Sequence, residues 1–94
     1  MMIIENYELV FRIREMARSG HNTISILKFL VEELNLNENS RMIMIIYFQE
    51  AFALRLSEAK HVGAWEFFNG GTWNSEMMEA EFGPLLERFC SSMR

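Results

Sequence analysis

The sequence contains no Asp; all 13 of its acidic residues are Glu. It has one Cys, Cys90, one Pro, Pro84, and two His, His21 and His61. A single thiol cannot build an internal disulfide framework. Cys90 follows Phe89 in a terminal helical pattern, so a buried structural thiol is expected there. Zinc sites need clustered Cys and His, which these scattered residues do not supply, so no metal is expected. Nucleophilic catalysis needs a nucleophile, a base and an orienting group. No Asp can orient His21 or His61, and no motif places a Glu in that role. Asn35, Asn37 and Asn39 alternate, but no Glu follows where a calcium loop requires one. Gly70-Gly71 is followed by no Gly-Lys-Ser/Thr and is not a phosphate-binding loop. No catalytic residue, enzyme activity or cofactor is therefore expected. Five Gly and one Pro argue against a β-sandwich or a low-complexity chain. No run approaches the roughly 20 apolar residues that span a bilayer, so no membrane partner is expected. The opening Met1-Met2-Ile3-Ile4-Glu5-Asn6 lacks a basic region and a long apolar region, unlike a signal peptide. With the lone Cys90, the expected compartment is a reducing cytoplasm.

What is present fits one folded unit. The length of 94 residues implies a single helical domain, residues 1–94. Half the residues are hydrophobic and 23% are charged, as in a globular chain rather than a disordered one. A chain this size buries about two-thirds of its unfolded surface, which makes for a thin core. The net charge of −4 argues against nucleic acid and anionic lipid as partners. Residues 1–60 carry eight Glu against seven basic residues, and residues 61–94 carry five against two. The acidic last third suits a basic partner, or simply solubility.

Leu9, Val10, Ile13, Met16 and Ala17 recur at helical spacing, predicting a first helix over 6–19 capped by Asn6. Asn22 or Thr23 opens a second, with Ile24, Leu27, Leu30, Val31 and Leu34 inward and Asn35 as its C-cap. Lys28 and Glu32 lie four apart on its outer face. A third helix is predicted over 38–54. It is apolar on every side, which places it centrally. Ser57 caps a brief helix from Glu58 to Val62, ended by Gly63. Asn74 or Ser75 opens the last helical run, with Met78, Phe82, Leu85 or Leu86, Phe89 and Met93 inward. Pro84 interrupts that run, leaving one kinked helix or two short ones. The expected fold is all-α, a compact bundle of four to five helices around a central apolar helix.

Two clusters could bind a partner. Trp65, Phe67, Phe68 and Trp73 crowd around Gly70-Gly71, and aromatics anchor protein interfaces. One Trp buried and the other partly exposed is expected. Glu76, Glu79 and Glu81 gather where the last helix begins. There they complement the helix dipole, at about 0.3–1 kcal/mol each. A row of carboxylates can also imitate phosphates in the groove of a nuclease, and Glu58, Glu66 or Glu87 could extend it. The predicted partner-binding set is Glu76, Glu79, Glu81, Trp65 and Trp73.

Leu54-x-Leu56-Ser57-Glu58-Ala59-Lys60-x-Val62 resembles a helix-turn segment of the bacterial ribosomal stalk protein's C-terminal domain. That domain requires strands absent from this reading, so the likeness is taken as a convergent capped turn. A wider pattern is Tyr47-Phe48-x-x-Ala51-Phe52-x-Leu54-x-Leu56, then Trp65, a Gly-rich turn and an acidic helix reaching Pro84-Leu85-Leu86. It resembles small acidic helical bacterial proteins, some of which are immunity proteins made beside secreted toxins. The resemblance implies a cytoplasmic inhibitor that binds a toxin domain, basic and nuclease-like, and covers its working face. The alternative is a homodimeric structural or regulatory module that buries Met42, Met44, Met77 and Met78 between subunits. A third reading is a small-molecule-binding bundle or enzyme with its site lined by Tyr47, His61 and Trp65.

Overall fold

The computed structural model describes residue 4 and residues 6–92. Met93 and residues 1–3 and 5, which the sequence reading used, lie outside the described residues. Among those described there are five α-helices, one 3-10 stretch and no strand, so the protein is an all-α bundle.

Helix α1 (Tyr7–Arg18) opens on Asn6, whose Oδ1 accepts from the Glu8 amide at 3.1 Å. Leu9, Val10, Ile13 and Ala17 are buried, and Met16 is half-buried. Helix α2 (Thr23–Leu34) opens on Asn22 and ends on Asn35 in the left-handed region at φ 53°. Its buried stripe is Thr23, Ile26, Leu27 and Leu30, turned towards Ile26 from the predicted face. Ile24, Val31 and Leu34 are only half-buried. The turn follows from α2 lying between α1 and the last helix and needing to face both. Lys28 and Glu32 are exposed and form no ion pair among the described residues.

Helix α3 (Arg41–Phe52) is shorter than predicted at both ends. At its start, Asn37 Oδ1 accepts from the Asn39 amide at 2.8 Å and Ser40 Oγ accepts from the Asn37 amide at 3.1 Å. These local bonds hold residues 37–40 in a turn and delay the helix. At its end, Ala53 takes the left-handed conformation at φ 52° and stops propagation. α3 packs against α1, the short segment after it and the last helix, which makes it central. Met44, Ile45, Tyr47, Phe48, Ala51 and Phe52 are buried, while Met42 and Ile43 face solvent.

Helix α4 (Leu56–Ala59) runs into the 3-10 stretch Lys60–Ala64. It starts before the predicted Ser57 cap because Glu58 reaches back to accept from the Arg55 amide at 2.9 Å. Helix α5 (Ser75–Ser92) is one continuous helix, with Pro84 inside it. Asn74 caps it by accepting from the Met77 amide at 2.9 Å. Pro84 lacks the donor that would meet the Ala80 carbonyl, but both residues lie on the exposed face, where water can replace it. Met78, Phe82, Leu86 and Phe89 form its buried stripe, and Cys90 is half-buried rather than enclosed.

The core joins α3 to α5 through aromatic edges. Phe48 meets Phe52 at 5.3 Å and Phe82 at 5.7 Å, and Phe52 meets Phe89 at 5.3 Å, all edge to face. Such pairs add about 0.5–1.5 kcal/mol each beyond the area they bury. Met44 and Met78 are fully buried here, so they cannot serve the predicted dimer interface; Met42 and Met77 remain exposed. Tyr47 and Trp65 are likewise core residues, though Trp65 also borders an open groove with Lys28, Val31, Glu32 and Phe67.

The loop from Trp65 to Trp73 closes one end of the bundle. Trp73 donates its amide to the Ala64 carbonyl and the Glu66 amide donates to the Trp73 carbonyl, both at 2.8 Å. Asn69 ties the loop to the 37–40 turn through the Glu38 carbonyl at 2.9 Å and Asn39 Oδ1 at 2.6 Å. Gly70 turns the chain at φ 77°. A Cβ on Gly71 would sit 2.0 Å from the Trp65 carbonyl oxygen, so no other residue fits. Gly71→Ala should therefore lower stability by about 1–3 kcal/mol or more, at about 4–8 °C of melting temperature per kcal/mol. Thermal unfolding followed by circular dichroism checks this. An unchanged melting temperature contradicts the packing described for the loop.

Candidate functional site

The five predicted binding residues do not form one row. Trp65 is 6% exposed and belongs to the core, stacked on Phe67 at 5.1 Å. Trp73 is half-buried and lies two residues before α5. Its indole packs at 5.5 Å against the His61 ring, tilted by 42°.

The three carboxylates divide in the same way. Each helical residue advances about 100° around the axis, so Glu79 and Glu81 point to nearly opposite sides. Glu79 reaches α2, where it accepts from the Thr23 amide at 3.1 Å and the Ile24 amide at 3.4 Å. Asn22 takes the next amide, that of Ser25, at 2.9 Å. Together they satisfy the donors that a helix start leaves open. The Glu79 charge also complements the positive end of the α2 dipole. Glu81 lies on the other side, where its Oε2 is 3.1 Å from His61 Nδ1. Glu76 alone is exposed and makes no ion pair among the described residues. Sequence reading assigned all three to a partner. The structure engages two of them within the fold, on nearly opposite sides of α5, so the three do not form a continuous row.

A second bridge lies on the Glu81 side of α5. The two terminal guanidinium nitrogens of Arg88 donate to the two carboxylate oxygens of Glu58, each at 3.0 Å. The hydrogen bonds from Arg88 and from the Arg55 amide hold the Glu58 carboxyl down at about 2, against an ordinary 4.5. The same pairing raises the pKa of Arg88. Glu58 and His61 thus fasten the 56–64 segment to α5 through Arg88 and Glu81. Sequence reading missed both contacts, because each joins residues 20 or more positions apart.

Trp73, Glu76 and Met77 remain, within five residues of one another in sequence at the head of α5. Met77 is 45% exposed and Glu76 is its exposed neighbour in the first turn. Sequence reading placed Met77 only in the apolar set of the homodimeric alternative, since Met serves cores and surfaces alike. The His61–Glu81 pair supplies an oriented imidazole. Among the described residues no group of three or more His, Cys, Asp or Glu could hold a metal ion. No described helix is long and apolar enough to cross a membrane. Compared with protein-family models, curated proteins and solved structures, the chain finds no match.

Two tests separate fold from surface. Glu79→Ala should cost about 1–3 kcal/mol by leaving two amides unpaired, and Glu76→Ala less than about 1 kcal/mol; denaturant titration gives both values. Equal costs contradict the assignment of Glu79 to α2. The Glu58–Arg88 bridge also makes a pH dependence. Its carboxyl is lowered on folding, so its stabilisation is complete above about 4.5 and is lost as pH falls towards about 2. Arg88→Met should remove that part of the acid sensitivity, measured as melting temperature against pH. An identical profile in the variant contradicts the bridge.

Proposed function

We propose that the protein is a noncatalytic protein-binding inhibitor of the toxin-immunity type, one that blocks a basic, nuclease-like toxin domain by covering it. The observation that carries this reading is the head of α5. There a half-buried aromatic, Trp73, precedes by three and four residues an exposed acid, Glu76, and an exposed apolar side chain, Met77. Interface hot spots combine an aromatic anchor with surroundings that exclude water. Glu8, Glu32, Glu38, Glu50, Glu66 and Glu87 also form no ion pair among the described residues, adding to the negative field. Such a field speeds encounter with a basic partner, and desolvated anchors slow release. The function needs a shape and a charge, and no reaction.

A homodimeric module is the second reading. It is favoured by Tyr7 and Phe11, 51% and 59% exposed and one turn apart on α1. The test is capture of secreted toxin domains by the immobilised protein, followed by kinetics at several salt concentrations. Glu76→Gln should slow association and flatten its salt dependence. Met77→Ala should speed dissociation by about fivefold to tenfold, a loss of roughly 1–1.4 kcal/mol. No captured partner, with the protein sedimenting as a dimer, contradicts the inhibitor and supports the module. Unchanged kinetics in both variants at low salt contradict the surface at the head of α5.

A further inference from the structure

We infer that Glu81 is a positioning residue: acting through His61, it holds the Trp73 indole in place before any partner arrives. The inference rests on the proposed binding role of the α5 head.

An ionised carboxylate only accepts hydrogen bonds, so at 3.1 Å from Glu81 Oε2 the His61 Nδ1 must carry a proton and donate it. That fixes both the ring's proton position and its rotation. The fixed imidazole forms one wall against the indole of Trp73 at 5.5 Å. The three residues come from three places in the chain. Glu81 is on α5, His61 is in the 3-10 stretch, and Trp73 is clamped by its backbone to Ala64 and Glu66. Glu58, three residues before His61, is occupied by Arg88. The His61 side chain is 40% exposed, so packing alone does not restrain it. Without Glu81 the ring is free to change rotamer, and the indole loses its wall. An anchor ordered in advance avoids the entropy of ordering it during binding. Glu81 therefore serves the surface without touching the partner, which separates it from Glu76.

The experiment uses the free, full-length chain labelled with 5-fluorotryptophan and with nitrogen-15 in histidine. Trp65→Phe assigns the fluorine signals, and His21→Gln assigns the imidazole signals. In alkaline buffer the His61 proton should be on Nδ1, and Trp73 should give one narrow fluorine line. Glu81→Ala and His61→Ala should broaden that line or move it towards the free indole position. Glu81→Gln, which keeps an acceptor oxygen, should restore it. A proton on Nε2, or a Trp73 line unchanged by Glu81→Ala, overturns the inference whatever the partner. Toxin capture undiminished by Trp73→Ala would overturn the α5 surface instead, while leaving these spectra as they are.

Discussion

The edge-to-face seam of Phe82, Phe48, Phe52 and Phe89 sets how α5 is rotated against α3. Much of the surface follows from that rotation. With Phe82 pointing inward, Glu79 lies about 60° to one side and Glu81 about 100° to the other. Arg88 falls on the Glu81 side, about 120° round, while Glu76 and Met77 are turned outward. The first side meets the start of α2, and the second meets the 56–64 segment. One apolar stripe thus decides which acids close the fold and which face solvent.

Glu is the chain's only acidic residue type, and its positions show how environment divides the work. Glu79 replaces a missing cap on another helix. Glu58 closes its own helix start and also grips Arg88. Glu81 orients an imidazole. Glu76 does none of these and stays in solvent. The mimicry of phosphate by a row of acids gives way to a narrower proposal: one free acid beside an aromatic and a methionine, within a diffuse negative field.

Local signals were legible in the sequence and distant ones were not. Asn6, Asn22, Asn35 and Asn74 mark helix ends because their side chains or left-handed backbones act on the nearest residues. The all-α architecture and the central α3 followed from apolar spacing. The start of α3 was misplaced because the Asn37–Ser40 turn and a helix start use the same residue types. Pro84 could not be decided from the sequence, since its cost depends on whether the Ala80 carbonyl reaches water. The contact of Glu79 with Thr23 spans 56 positions and depends on how α5 packs, so no local pattern announces it. The aromatic loop was visible as a cluster, but the pairing of Trp65 with Trp73 across Gly71 is a backbone contact that no local pattern announces.

The proposal that matters most is that the head of α5 meets a basic protein partner. Hydrogen–deuterium exchange of the chain, alone and with a captured toxin domain, tests it most directly. Protection concentrated on residues 72–77, with α1 unchanged, is the result predicted. Protection along α1 around Tyr7 and Phe11, with residues 72–77 unaffected, would contradict it.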